Sequence, residues 1–344
     1  MHSVDYYEVG SRVLKVENAD EVLARIGRDF LRGFHLNNLG ASSNAEVDCL
    51  ISLTSGPQTP LPAGIKPFKI QRGQCYLDGP RMVLNVDESQ IEVESGFPSR
   101  VSVRFGNSSH ARHPVAVVNV LSYALPAALR RCLLYEVHSA AVVEPETGFG
   151  LLLVGDSNSG KSSLTVRLAH AGWKYLTDDM VVIRNGGRHV EALALRKVFA
   201  VSPQSIAIAG LDRLNSSLGT SVRSDRNKRR LEPSEVFPEL FTSVCRPGVL
   251  CFVSIAGSET SHFEEISQSD AMIRMVNHCA WSSYDEHGAA DFLKTLGRLV
   301  AQARCFVLAG GRDILDIPQR SVDIFREMLE LETASEWVAE AING

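Results

Sequence analysis

Residues Gly155, Asp156, Ser157, Asn158, Ser159, Gly160, Lys161 and Ser162 form a full GxxxxGK[ST] run, the spacing that cradles a polyphosphate. The chemistry dictates the residue types. Glycines let the backbone turn tightly, so that successive N–H groups converge on phosphate oxygens. A following helix adds the partial positive charge of its N-terminus. Lys161 has the reach for the β- and γ-phosphates, and the Ser162 hydroxyl is a magnesium ligand. The flanking sequence suits the motif: Phe149–Val154 is an apolar run that predicts a strand, and Ser163–Ala171 predicts a helix. The expected ligands are ATP and Mg2+, with Ser163 counted among the nucleotide contacts.

Seventeen positions after Lys161 stand two adjacent acids, Asp178 and Asp179, in the run YLTDDMVVI. Neighbours in an extended chain point to opposite sides, so the two carboxylates can serve different partners. Phosphoryl transfer to a hydroxyl needs a metal-organising carboxylate and a base for the hydroxyl proton. Asp178 is expected to be the base and Asp179 to organise the metal with Ser162. The pair precedes its apolar run instead of ending it, unlike the usual layout of loop-containing ATPases and GTPases.

Further charges collect downstream. Arg223, Arg226, Lys228, Arg229 and Arg230 place five cations in eight positions of an otherwise acidic chain. Cations stabilise the equatorial charge of a transferring phosphoryl group, and Lys228 and Arg230 are the favoured residues. Arg196 is a further phosphate-contact candidate. Arg312 and Asp313 follow an expected strand, where α/β folds place ligands. Asn107, His110 and His113 read as a polar turn, since no third ligand is near. His138, at the end of an apolar stretch, reads from the residues alone as a core histidine.

The elements that must position these groups are legible in outline. Residues 18–34 predict a helix capped by Asn18 or Asp20, with Val22, Leu23, Ile26, Phe30 and Leu31 on its apolar face. The Pro- and Gly-rich 55–67 predicts a loop. CYL, MVLNV, QIEVE and RVSVRF, within 74–105, predict an antiparallel meander. The apolar 115–134 predicts a helix bent or broken at Pro126. Two strands follow around a turn at Glu144–Gly148, and then strands (VVI, CFVSI, CFVLA) alternate with helices (SSLTVRLAHAG, QSDAMIRMVNHC, AADFLKTLGRLVAQA, QRSVDIFREMLEL). This predicts a three-layer α/β nucleotide domain over 113–344 behind a smaller α+β unit over 1–112, whose role the sequence does not name.

Bulk properties narrow the partners. At 344 residues the chain can bury a sizeable core. A net charge of −5 and a pI near 6.1 give no reason to expect nucleic acid. No apolar run is long enough to span a bilayer, and the early acids do not suit a secretory signal. Seven widely spaced cysteines, an odd number with no CxxC pair, argue against a disulfide framework or zinc site and for a reducing, cytoplasmic setting.

Several of these pieces, in order, resemble the HPr kinase/phosphorylase-like kinases, which share a nucleotide fold with ATP-dependent phosphoenolpyruvate carboxykinase. They are Val137-His138-Ser139-Ala140-Ala141, GDSNSGKSS, YLTDDMVVI, and the weaker Lys228-Arg229-Arg230-Leu231-Glu232-Pro233 and Gly311-Arg312-Asp313. The resemblance spans roughly residues 115–332. It implies a carboxykinase-like nucleotide domain, and it implies that His138 lies near the phosphates, stabilising charge or binding the acceptor. Ser163 stands where HPr kinases proper carry a glutamate, which directs the expectation to the broader set of related kinases. The expected activity is ATP-dependent phosphorylation of a hydroxyl, with a peptide or protein serine as the acceptor. A small-molecule kinase and a nucleotide-regulated binding protein without turnover remain alternatives, and self-association is left open.

Overall fold

Alternating apolar residues of the first hundred positions assemble one large mixed sheet. In the computed structural model, which describes residues 3–61, 64–106, 114–208, 211–222, 225–255, 257–317 and 319–330, this sheet has nine strands. Its order is Asn37–Gly40, Ser3–Val9, Arg12–Asn18, Cys49–Ser55, Ser99–Phe105, Ser89–Glu94, Arg81–Val86, Gly73–Asp78 and Phe68–Ile70. The expected meander is present, from Gly73–Asp78 to Ser99–Phe105, antiparallel throughout. The strand Cys49–Ser55 joins it in parallel to Ser99–Phe105 on one side and to Arg12–Asn18 on the other. The expected first helix is Glu21–Leu31, and Asp20 is its cap, accepting from the Leu23 backbone N–H at 2.9 Å. Such a cap contributes about 1 kcal/mol. The helix buries Leu23, Ala24, Gly27 and Leu31, so Ala24 and Gly27 replace Val22, Ile26 and Phe30 in its fully buried stripe. Helix Pro114–Arg131 passes through Pro126 unbroken and packs on the sheet.

The chain divides into two compact units: residues up to Glu136 with Ala280–Phe292, and Val137–Cys279 with residues from Leu293 onward. Helix Pro114–Arg131 falls in the first unit. The boundary expected at 112/113 lies at positions outside the described residues, as do Asn107, His110 and His113. Within the first unit, Arg130 and Arg131 meet the fully buried carboxylate of Asp285 at 2.7 and 2.8 Å, and this ties the returning segment down.

The second unit is mixed α/β. Its main sheet has the order Lys174–Thr177, Ser139–Val143, Gly150–Val154, Pro247–Ile255, Arg304–Gly310 and His262–Glu265. Gly150–Val154, Pro247–Ile255 and Arg304–Gly310 are parallel, with antiparallel neighbours at both sides. The parallel strands read as continuous apolar runs because both their faces are covered, and all of Gly150–Val154 is buried. A sheet of Val181–Asn185, Val190–Ala194 and Val244–Cys245 and a small one of Phe199–Val201, Asp225–Leu231 and Leu218–Val222 complete it. The core gathers Leu151, Leu153, Leu164, Trp173, Tyr175, Phe199, Phe306 and Phe325. Helices Lys161–His170, Gln268–Asn277, Glu286–Gln302 and one over 319–330 fall where the sequence predicts them, the third divided between the units. No helix among the described residues is long and apolar enough to cross a membrane.

Candidate functional site

Strand direction brings the sequence candidates to one end of the main sheet. Gly150–Val154 runs into the Gly155–Ser162 loop, and its antiparallel neighbour pairs Ser139 with Val154, so His138 lies beside the start of that loop. On the other side Ala141 pairs with Thr177, which delivers Asp178 and Asp179 to the same end. Tyr175 anchors this strand. Its ring packs against Phe199, Phe237 and Phe241 at 5.3–6.5 Å, and its backbone bonds Leu240 and Thr242 at 2.8 and 3.0 Å.

The loop has the tight backbone its glycines promise. A Cβ on Gly155 would lie 2.5 Å from the Val253 carbonyl oxygen, so only glycine fits between the two parallel strands. Gly160, with φ of 100°, caps helix Lys161–His170 in the left-handed region that side chains avoid. Lys161 is buried, and its Nζ donates to the carbonyls of Gly155 at 2.6 Å and Asp156 at 2.8 Å. Burial depresses its basicity, the positive charge of Lys228 adds to this, and the charge on Asp179 opposes it. The ammonium is thus poised at the loop centre, bonded to neutral carbonyls that an anion can displace.

The two acids have opposite surroundings. Asp178 is only 1% exposed. Its Oδ2 accepts from the Ala200 backbone N–H at 2.9 Å, while Oδ1 has no hydrogen-bond partner of good geometry. Burial drives its proton affinity up to about 6, with the neighbouring Asp179 charge adding to the rise. The Ala200 N–H, the nearby Ser162 hydroxyl and the Arg196 charge pull the other way. Asp179 has a side chain 33% exposed and lies between an imidazole and a guanidinium, 3.3 Å from Nδ1 of His138 and 3.6 Å from Nε of Arg196. Burial lowers the His138 imidazole below its usual range, against the pull of Asp179.

These groups line a cleft of about 320 Å³. The loop contributes Ser157, Asn158, Gly160, Lys161, Ser162 and Ser163; His138, Asp178 and Asp179 make up the wall with Ala200, Val201, Ser202, Asn227 and Lys228. Apart from Ala200 and Val201 the wall residues are polar or charged, which suits phosphate and a cation better than a purine ring. Gly155, Asp156 and Ser159 belong to the loop without lining this space. Lys228 is in the wall, whereas Arg230, two residues along the same strand, is exposed and outside it. Arg223 lies outside the described residues, and the same holds for the side chain of Arg226. Arg312 and Asp313 also stay out of the cleft. Asp313 anchors a turn by accepting from the Ser261 N–H and hydroxyl at 2.7 and 2.5 Å, and Arg312 lies 3.6 Å from Glu259 on the surface.

Sequence reasoning missed Ala200, Val201, Ser202 and Asn227, which come from the small sheet. It also missed His278, whose ring stands 3.9 Å from the Asp156 carboxylate. The pairing of Ala200 with Arg230 and Val201 with Arg229 leaves Lys228 and Ser202 each one residue beyond the last pair, a register that no local pattern announces.

A divalent cation fits this set. Magnesium is held by one or two carboxylates, a hydroxyl and ligand phosphates, and it does not require a prebuilt cage of protein ligands. Among the described residues no group of three or more His, Cys, Asp or Glu is placed to hold a metal ion by itself, so a cation here would need ligand phosphates as well. The unpartnered Oδ1 of a buried Asp178 is the kind of polar atom that a bound cation or proton satisfies.

Fold and site together define a mixed α/β protein with a polar, loop-built cleft. No protein-family model matches the chain, and no curated protein matches it in sequence. Among solved structures it is similar to the Hpr(Ser) kinase/phosphatase from Coxiella burnetii, with 11% sequence identity and a TM-score of 0.33 over 59% of this chain and 97% of that one. A TM-score this low does not define a shared fold, so the residues of the cleft carry the functional argument by themselves.

Proposed function

We propose that the chain is an ATP-dependent, Mg2+-requiring kinase that transfers the γ-phosphoryl group to a hydroxyl, with a serine of a peptide or protein as the acceptor. The observation that carries this reading is Asp178. A buried carboxylate whose proton affinity is raised to about 6 faces the same cleft as Lys161 and Ser162. Transfer to a hydroxyl requires a proton acceptor tuned near working pH, and Asp178 is a buried carboxylate of this cleft that meets that need.

In this reading the loop amides and Lys161 bind the β- and γ-phosphates, Lys161 exchanging its two carbonyl partners for phosphate oxygens. Ser162 and Asp179 would hold Mg2+, which supplies charge neutralisation across the phosphates. Lys228, in the same cleft lining, would meet the developing charge, with Arg230 as a cation outside the cleft. His138 fixes the orientation of Asp179. Asp178 takes the acceptor's proton. The second unit is proposed to be of the carboxykinase-like nucleotide type on the strength of the sequence pieces alone. The nearness of the Ser162 hydroxyl to Asp178 favours a second division of labour, in which Asp178 organises the metal and Asp179 is the base.

The test offers γ-labelled ATP with Mg2+ to a serine-peptide library and to a panel of hydroxylated metabolites. Label transferred to peptide supports the reading in full, and label on a metabolite moves the acceptor class. Tight Mg-ATP binding with no transfer and no hydrolysis would sink the kinase reading and leave the binding protein.

A further inference from the structure

Helix Gln268–Asn277 ends beside the Gly155–Ser162 loop, and its C-cap is His278. The His278 backbone N–H closes the helix by donating to the carbonyls of Arg274 and Met275 at 3.2 and 3.1 Å. The ring is part-buried, and Nδ1 stands 3.9 Å from Oδ1 of Asp156, whose side chain is 94% exposed. Asp156 is also the residue whose carbonyl holds Lys161 at 2.8 Å and the Ser159 N–H at 3.2 Å. Its backbone therefore ties the loop together, while its carboxylate puts a negative charge at the second position of a loop that must receive a polyanion. A charge of the same sign as the polyanion opposes its binding.

Resting on the reading of this loop as the phosphate site, we propose that His278 is a positioning residue for nucleotide binding, pairing with Asp156 so that its charge is offset and the first turn of the loop is held when a nucleoside triphosphate enters. The groups that face His278 account for its state before binding. Burial disfavours the imidazolium, the Asp156 carboxylate favours it, and Lys161 and Arg274 oppose it. His138 and His278 also repel when both are charged. The ring is therefore less basic than usual in the unliganded protein. A triphosphate near Lys161 reverses the balance, so the ring takes up a proton as the nucleotide binds. The pairing operates at slightly acid pH and fades as pH rises.

The experiment titrates Mg-ATP calorimetrically at pH 6 and pH 8 into the full chain, into His278→Asn, Asp156→Asn and the double variant, and into Lys161→Ala as a control. His278→Gln serves as a second variant, and circular dichroism checks that each is folded. A part-exposed charge pair is worth roughly 0.2–1 kcal/mol, so His278→Asn should weaken binding about 1.4- to 5-fold at pH 6 and by less at pH 8. In the Asp156→Asn background the same change should have no effect. An equal loss in both backgrounds, an equal loss at both pH values, or no loss at pH 6 overturns the proposal. If Lys161→Ala binds Mg-ATP as the parent does, the loop reading fails as well. If Lys161→Ala loses binding while His278→Asn changes nothing, the loop reading stands and only the pairing fails.

Discussion

Asp178→Asn should make the nucleotide-free protein more stable while disabling it. Asp178 titrates near 3.8 unfolded and near 6 in the folded chain, because folding buries it at 1% exposure beside Asp179. A raised carboxyl pKa means that the folded state binds more protons than the unfolded one between these two values. Stability therefore falls as pH rises through that window and stays lower above it. The difference of about 2 pKa units corresponds to about 3 kcal/mol at pH 8, and the same relation leaves about 1 kcal/mol at pH 4.5. Asparagine carries no charge, and its Oδ1 can keep the 2.9 Å bond from the Ala200 N–H. Its Nδ2 takes the place of the oxygen that has no partner, where the nearby Ser162 hydroxyl oxygen is the acceptor it needs.

The gain should appear as a rise in Tm of roughly 4–10 °C at pH 8, shrinking to a few degrees at pH 4.5, read by scanning calorimetry without nucleotide. Turnover of the same variant should fall by about 10²–10⁴, with Mg-ATP affinity little changed. Gain and loss have one cause, since the burial that raises the proton affinity is what destabilises the ionised form. A variant equally stable at pH 8, or stabilised by the same amount at both pH values, would show that Asp178 is not held in a strained ionised state. Full turnover would place the base elsewhere.

Lys161→Ala should abolish Mg-ATP binding by calorimetry while leaving the far-ultraviolet circular dichroism unchanged, since it strips a cation from two carbonyls that water can satisfy. Asp179→Asn should raise the Mg2+ concentration for half-maximal rate and weaken nucleotide binding, a defect distinct from that of Asp178→Asn; identical defects would mean the roles are not divided, and exchanged defects would establish the second division. Lys228→Ala should cut the transfer rate at least tenfold and Arg230→Ala by much less, because only Lys228 lines the cleft; steady-state kinetics with the two variants side by side would refute this if the order were reversed.

Local signals were legible and long-range ones were not. Asp20 announces helix Glu21–Leu31, because a cap and an apolar stripe lie within eleven residues of each other. The meander shows through its alternation and its short turns. The strands Ser3–Val9 and Arg12–Asn18 alternate as well, yet nothing nearby indicates that Arg12–Asn18 pairs in parallel with Cys49–Ser55. The motif of the Gly155–Ser162 loop is contiguous and needs no tertiary knowledge to be seen. Its surroundings are assembled from distant segments: Ala200 bonds Asp178 across 22 positions, and Lys228 arrives through a strand register set by Phe199–Leu231 pairing. His278 is invisible in sequence because a histidine at a helix end is ordinary until the loop beside it is known.

The adjacent acids show how far a backbone rule can carry a chemical argument. Asp178 and Asp179 stand in the bend between strands Lys174–Thr177 and Val181–Asn185 and not in extended chain, so the expected alternation does not govern them, yet one is enclosed and the other lies between His138 and Arg196. Alternation does not say which acid is enclosed. That is decided by the strand Phe199–Val201, which offers the Ala200 N–H to one carboxylate only, and by the aromatic packing that holds Tyr175 three residues before it. Enclosure then sets the proton affinity, and on the proposed reading proton affinity divides the two roles. A base needs an acceptor that is neither always protonated nor indifferent to protons near neutral pH, and burial gives Asp178 that property at the expense of the fold's own stability. Without the Ala200 N–H the same side chain would hold its proton more tightly still and burden the fold more, because that bond favours the ionised form. A change that moves the Ala200 N–H away from Asp178 should therefore raise the apparent pKa of the rate profile further above the ordinary carboxylate range and lower stability at pH 8.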